Sequence, residues 1–307
     1  MQLKALRYFL MVSATGSFLA TARHFEVSAS SVSRYIAALE RDLGHQLLYR
    51  STRAVKLTEE GERFYVQAHE AISMLDDAAG ELTQGDTGIK GLVRINAPVA
   101  LGRLHIAPLL SRLQKKFPEL NLELTLTDAL IDPVQEGADI TVRVGRLIDS
   151  GLIGFVVSGH RYLLAASPTY LANHPSIESP LDLLHHDCLL YKGEQGAQRW
   201  YFKSTPDEPF KTLNVRGPFK SNNAEVLVAA ALAGQGIVLF PSWLFSPASF
   251  TKKSLVRLLP QWELSASAEA MYVQLLSPQN RLRSRKVREV SAFLREEIGN
   301  PPYWEQV

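Results

Sequence analysis

Between Ser28 and Leu57 the chain concentrates residue types suited to one kind of chemistry, the recognition of a polyanion. Ser28, Ser30, Ser31 and Ser33 cluster around Arg34, Arg41 follows, and Arg50, Thr52, Arg53 and Lys56 close the stretch. Set against Glu40 and Asp42, these basic side chains leave the segment at +3, whereas the whole chain carries only +2. Any nucleic-acid footprint is therefore local. Hydroxyls bond base edges and phosphates, and a guanidinium does so with parallel N–H groups. One at a time these residues read blandly, since serines at a helix start are often caps and arginines at a hairpin tip are usually just solvated. The combination carries the reading.

The elements that position them have sharp boundaries. Leu3, Leu6, Phe9 and Leu10 lie on one helical face, and Gly16 ends that helix. Ser17 is a good N-cap for a short second helix carrying Phe18, Ala22 and Phe25, and Glu26 and Val27 turn the chain. Ser28 caps a third helix that runs to about Asp42 and stops at Gly44. In it Val32, Ile36, Leu39 and Leu43 recur at steps of 4, 3 and 4 and form a buried stripe. That places Ser30, Ser33, Arg34, Ala37 and Arg41 on the opposite face, which has no carboxylate near its start and suits a major groove. Gln46 to Leu57 reads as a β-hairpin with Arg50, Ser51, Thr52 and Arg53 at its tip. Thr58 caps a long helix in which Phe64, Ala68, Ala71, Leu75, Ala78 and Leu82 follow heptad steps. The seam predicts a dimer helix rather than one packed only on its own domain. Gly85, Gly88 and Gly91 predict a flexible hinge after it.

In these residues the chain resembles the LysR-type transcriptional regulators. The matching positions are Leu6-Arg7-Tyr8-Phe9, Gly16-Ser17-Phe18, Ala22-Arg23, Val27-Ser28, Ser33-Arg34, Ala38-Leu39-Glu40, Leu43-Gly44, Leu47-Leu48, Arg50 and Leu57-Thr58-Glu59-Glu60-Gly61. The likeness continues at Pro108-Leu109-Leu110, Phe117-Pro118, Ala138-Asp139-Ile140, Ala166-Ser167-Pro168 and Ala233-Gly234-Gln235-Gly236-Ile237, so it covers essentially the whole chain. It implies an α/β chain in three parts. An all-α winged helix-turn-helix (1–58) leads to a linker and dimerisation helix with its hinge (59–91), then to a two-lobed effector domain like the periplasmic binding proteins (92–307). Carried over, Ser30, Ser31, Ser33 and Arg34 contact the groove, and Arg50, Thr52 and Arg53 make the wing contacts; Ser28 and Arg41 complete the DNA-binding set. Many relatives have Gln just after the cap, where this chain has Ala29. Ala29 offers only apolar contact, such as to a thymine methyl, which shifts readout toward Arg34 and DNA shape.

Beyond residue 91 strands and helices alternate, with Leu92–Asn96, Leu122 to Leu126 and Ile140 to Val144 as strands and Ile106, Leu109, Leu110 and Leu113 on a helix. This argues for α/β units on a mainly parallel sheet. Further strands are expected at Tyr162–Ala166, Cys188–Tyr191, Trp200–Lys203, Gly236–Phe240 and Met271–Leu276, and helices at Asn223–Ala233 and around Arg283–Glu297. Ligands in such sheets bind beyond the carboxyl ends of strands. Val99 and Ala100, Thr127 and Asp128, and Asn222 and Asn223 occupy such positions, and Phe240 lies at another strand end. Amides at two helix starts favour an anion, so a small carboxylate is a natural effector, with Arg146 as its counter-charge.

The remaining motifs exclude other classes. Gly234-Gln235-Gly236 ends a helix instead of linking a strand to one, His185 and His186 are adjacent, and no Gly-x-Ser-x-Gly elbow occurs. No enzyme activity, metal or cofactor is expected. Cys188 is the only cysteine, and neither a signal sequence nor a run of 18 apolar residues is present, which points to the cytoplasm and no membrane partner. The expected partners are double-stranded DNA with a two-fold-related operator, a small-molecule effector, a second copy in a homodimer, three further copies in a homotetramer, and RNA polymerase. The alternative is a small-molecule-binding protein whose N-terminal module mediates protein association.

Overall fold

The N-terminal helices begin and end where side chains and glycines satisfy their free backbone groups. In the computed structural model, which describes residues 2–50, 55–82, 89–129, 137–147, 152–193, 196–279 and 281–306, α1 (Leu3–Thr15) closes on Gly16 at φ 62°. The Ser17 hydroxyl accepts from Ala20 N–H to start α2 (Phe18–His24), and the Ser28 hydroxyl accepts from Ser31 N–H to start α3 (Ala29–Leu43). Gly44, at φ 72°, ends α3. The hairpin β1 (Leu48–Arg50) and β2 (Val55–Leu57) pairs antiparallel, Leu48 opposite Leu57. Helix α4 (Glu59–Leu82) follows, with the Thr58 hydroxyl accepting from Gly61 N–H at 2.9 Å and donating to the Gln46 carbonyl at 2.7 Å.

These elements share one core of Phe9, Val12, Val32, Ile36, Leu39, Leu47 and Leu48, closed by Ala68 and Ile72 of α4. Phe64 and Ala68 of the heptad seam thus pack on their own unit, while Ala71 is exposed and Met74 and Leu75 are 56% and 52% exposed. The side chains of Ala78 and Leu82, and the linker with Gly85 and Gly88, lie outside the described residues. Gly91 is described and opens the first strand of the next domain.

That domain has two lobes. The first is built on β3 (Gly91–Ala97), the helical run α5 (Val99–Leu101), a π-helical turn (Gly102–Ile106) and α6 (Ala107–Lys116), then β4 (Leu120–Leu126), β5 (Ile140–Gly145) and β6 (Leu152–Gly159). The second holds β7 (Tyr162–Ala166), α7 (Pro168–Ala172), β8 (Leu190–Gly193), β9 (Gly196–Ala197), β10 (Trp200–Lys203), β11 (Lys211–Leu213) and β12 (Lys220–Ser221). It continues with α8 (Ala224–Leu232), β13 (Val238–Pro241), α9 (Pro247–Thr251), β14 (Val256–Leu258) and β15 (Glu263–Ser265). The chain then returns to the first lobe with β16 (Tyr272–Pro278) and α10 (Arg285–Ile298).

The first sheet runs β4-β3-β5-β16-β6. Its β4-β3 and β3-β5 pairings are parallel, but β16 pairs antiparallel with both β5 and β6. In the second lobe β13-β7-β14 is antiparallel throughout. The expectation of a mainly parallel sheet is therefore corrected to a mixed one: β4, β3 and β5 run parallel, with α6 as the crossover between β3 and β4, whereas β16 runs antiparallel between β5 and β6. Along β7, Leu163 and Ala165 face one core and Leu164 and Ala166 the other, so the strand is buried on both sides. Trp200 and Phe202 belong to the second of these cores. Among the described residues no helix is long and apolar enough to cross a membrane.

Gly61 packs so closely under the hairpin that a Cβ there would overlap the Leu47 carbonyl oxygen. Gly61→Ala should cost the N-terminal unit about 1–3 kcal/mol by overpacking. Hydrogen exchange would report it as reduced protection across α1 and α3 with α10 unchanged.

Candidate DNA-reading face and effector cleft

Helix α3 presents the face its periodicity implies. Val32 and Ile36 are fully buried, whereas Ser30, Arg34 and Arg41 are exposed and Ser33 half-buried. The hydroxyl of Ser28 lies 2.9 Å from those of both Ser30 and Ser31, so three of the four serines form one cluster at the helix start. Ala29, expected to reach DNA, is half-buried against the N-terminal core. Thr52 and Arg53 lie outside the described residues, as does the side chain of Arg50. The sequence reading missed two features. Glu40 entered the sequence reading only as a negative charge and a matching motif position, yet its Oε1 accepts from Leu47 N–H at 3.0 Å and Leu48 N–H at 3.2 Å, tying the hairpin to α3. Tyr49, opposite Lys56, stands exposed on the hairpin.

Between the two lobes lies a cleft of about 820 Å³. Val99, Ala100, Thr127, Asp128, Asn223 and Phe240 line it, as their strand-end positions suggested; Asn222 and Arg146 do not. Arg146 instead pairs at the surface with Glu269, Nη1 to Oε2 at 2.7 Å, and Arg143 lines the wall in its place. Thr141, Val142, Arg143 and Val144 of β5 all line the cleft, and Thr141 and Arg143 bring polar groups to its wall.

The amides expected to attract an anion are already occupied. Asp128 Oδ1 accepts from Val99 N–H at 3.0 Å, and Asn223 Oδ1 accepts from Glu225 and Val226 N–H at 3.0 and 3.1 Å. The cap of α8 is thus Asn223, and Asn222 is exposed beside it. What the cleft does leave open is a different set of polar atoms. Thr141 Oγ1, His160 Nδ1, Gln198 Oε1 and Trp243 Nε1 are buried without hydrogen-bond partners, and all four residues line it. Arg143 has no ion-pair or hydrogen-bond partner among the described residues.

His160 packs on Tyr162 and Trp243, with ring centroids 5.0 and 5.9 Å away. Burial lowers its pKa to about 4, so the cleft holds a neutral imidazole. Burial also pushes the Tyr162 phenol well above its usual value. Two contacts from the π turn are among those that join the lobes near the cleft. Arg103, on the π turn, pairs with Glu225 at the start of α8. His105 Nε2–H donates to the Trp243 carbonyl at 2.8 Å while the Tyr303 hydroxyl donates to Nδ1 at 2.7 Å, an arrangement that fits a neutral ring, and burial lowers its pKa.

Residues 3–62 match a family model for "Bacterial regulatory helix-turn-helix protein, lysR family", and residues 86–299 match "LysR substrate binding domain". The chain is 34% identical over 294 residues to the HTH-type transcriptional regulator DmlR of Escherichia coli K12, covering 96% of this chain and 94% of that one. It is 32% identical over 304 residues to the HTH-type transcriptional activator TtdR of the same strain, covering 99% and 97%. Among solved structures it is similar to the full-length virulence activator AphB of Vibrio cholerae, with TM-score 0.58, 28% identity and coverage of 96% and 98%. CrgA of Neisseria meningitidis gives TM-score 0.57 and 26% identity, covering 95% and 99%.

The buried histidines make stability depend on pH. His160 titrates near 6.5 when unfolded and near about 4 in the fold, and His69 falls to about 2. Below pH 6.5 the unfolded chain therefore binds protons that the fold refuses, and stability falls as pH drops toward 4. Each ring adds a slope of at most about 1.4 kcal/mol per pH unit. Urea midpoints measured from pH 6.5 to 5 should decline, and decline less steeply in His160→Asn.

Proposed function

Because the chain belongs to the LysR-type transcriptional regulators, we propose that its cleft takes a small carboxylate carrying further hydrogen-bonding groups, and that this effector modulates operator binding by α3. The family is one of regulators and not of enzymes; its members bind DNA and small-molecule effectors and form oligomers.

The observation that carries the effector class is Arg143, a cation without a partner among the described residues, on the wall of an 820 Å³ cleft. That volume lies in the range of small-molecule sites. A carboxylate answers a guanidinium with two parallel hydrogen bonds. The open polar atoms of Thr141, His160, Gln198 and Trp243 favour a ligand with more than one polar substituent, because burying them unpaired costs free energy. The lobes are joined across the cleft by Arg103–Glu225, so a ligand touching both walls biases their separation.

For DNA, the reading set is Ser28, Ser30, Ser31, Ser33, Arg34 and Arg41, with Arg50, Thr52 and Arg53 at the wing. Support for the helix part is the exposed polar face of α3 over its buried stripe. The division at 58 and 91 belongs to the same reading. So do pairing of two copies through the exposed Met74–Leu75 side of α4, a two-fold-related operator, assembly to a tetramer, contact with RNA polymerase, and a cytoplasmic location.

Arg143→Met should weaken carboxylate binding by about 10- to 100-fold, the range for losing a charged hydrogen bond. Arg146→Met should leave it unchanged. Calorimetry with a panel of small carboxylates checks both, and equal losses in the two variants would remove Arg143 from the site. Arg34→Ala should cost about 1–3 kcal/mol of specific DNA binding and relax preference at one base pair, read by competition against operator point variants.

A further inference from the structure

We infer a second small-molecule site, where the N-terminal unit meets the effector domain, for a small monocarboxylate with a short hydrocarbon body. A separate cavity of about 180 Å³ lies there and shares no lining residue with the cleft. Leu10 and Met11 of α1, Ile72 of α4 and Leu92 of β3 give it apolar walls, and Lys286 at the start of α10 and Arg94 of β3 bring positive charge. It is far smaller than the cleft and suits a small organic anion.

The charges around it do not cancel. Arg94 is answered by Glu123, Nε to Oε2 at 3.1 Å, and by the Tyr65 hydroxyl. Arg281 is answered by Asp139, Nη1 to Oδ1 at 3.5 Å. Lys286 is only 6% exposed, yet it has no hydrogen bond or ion pair with any described residue. Its Nζ lies above Gly91, 3.5 Å from where a Cβ would stand, so the missing side chain leaves the ammonium open to the cavity. His69, also on the cavity wall, remains neutral because burial and the neighbouring Arg94, Arg281 and Lys286 all oppose its protonation. Arg7 of α1 also lines the cavity and has interactions of its own, and Asp139 attracts Lys286 without bonding it, so Lys286 is the buried cation here with no directly bonded counter-charge. A buried unpaired ion costs several kcal/mol, and an anion supplied by a ligand offsets that cost. An apolar lining with a single free cation matches a carboxylate with a hydrocarbon tail better than a hydrated inorganic anion. An occupant would touch α1, α4, β3 and α10 at once, and so would couple the DNA-reading unit to the effector domain.

The test uses full-length protein carrying Arg143→Met, which removes the cation of the cleft, and butanoate as the probe. The expected result is saturable binding by calorimetry, weakened at least tenfold by adding Lys286→Met and also by adding Lys286→Gln. 1-Butanol and inorganic phosphate at equal concentration should not displace the probe. With 13C-methyl methionine, the Met11 signal, assigned through Met11→Leu, should shift on titration in the Arg143→Met protein and stay in place once Lys286 is replaced. The inference is overturned if no saturable binding occurs, if binding survives both Lys286 substitutions, if phosphate competes equally and marks a simple anion site, or if Met11 does not respond.

Discussion

The carboxylate of Asp139 is the fixed point on which the rest of the arrangement depends. It is fully buried, accepts from Arg94 N–H at 2.8 Å and faces the Arg281 guanidinium. Burial raises its pKa, and Arg281, foremost among the neighbouring cations, pulls it back. The same two arginines reach α4: Arg94 bonds the Tyr65 hydroxyl and lies 4.8 Å from that ring, and Arg281 Nη1 stands 3.5 Å from His69 Nδ1. One buried anion thus holds the Arg281 guanidinium and the backbone that carries Arg94, whose own guanidinium is held by Glu123, and these two cations join the linker helix to the effector domain. Strand β3 begins at this junction, with Gly91 and Arg94, and ends in the cleft, with Asn96 and Ala97. A single rigid strand therefore touches both places, which gives a contiguous physical path between ligand and DNA-reading unit.

The cleft follows a complementary logic. Its walls are strand faces and helix starts whose own needs are largely met: Asp128 and Asn223 satisfy the amides, and apolar side chains fill the floor. The unmet needs are concentrated in a few inward-facing atoms of Thr141, Arg143, His160, Gln198 and Trp243. Most buried polar groups in folded proteins are paired, so such a concentration in one concave place describes the missing partner by its shape and charge.

Much of this was legible in the chain, and the boundary of legibility has physical causes. Ser17, Ser28, Gly16 and Gly44 marked the first three helices because capping is a local chemistry. The long strands β3, β5, β7 and β10 were legible because alternation or a continuous apolar run extends over four residues or more. Strand β6 was not, since Ile153, Phe155 and Val156 are all exposed on a sheet edge and alternation fails there. Strands β11, β12 and β14 are two or three residues long and exist through partners distant in sequence. In the cleft, Val99, Ala100, Thr127, Asp128, Asn223 and Phe240 followed from the strand-end rule, whereas Arg146, expected as the counter-charge, pairs with Glu269 at the surface. Arg143 lies on the expected strand β5, and its place near the end of that strand was the signal that could have pointed to it. Glu40, His160 and Trp243 were beyond reach because their roles depend on how separate elements pack.

The second lobe is inserted between β6 and β16, and β16 lies in the middle of the first sheet, between β5 and β6. This has a consequence for the order of synthesis. The core of the N-terminal unit needs nothing beyond Ile72, so it can close while the ribosome is still making the cleft. The first sheet cannot close until residue 278 has emerged, near the end of translation. For most of its time on the ribosome the nascent chain holds a completed DNA reader without a completed sensor. A polypeptide cut short in that interval would be a reader freed from its instructions.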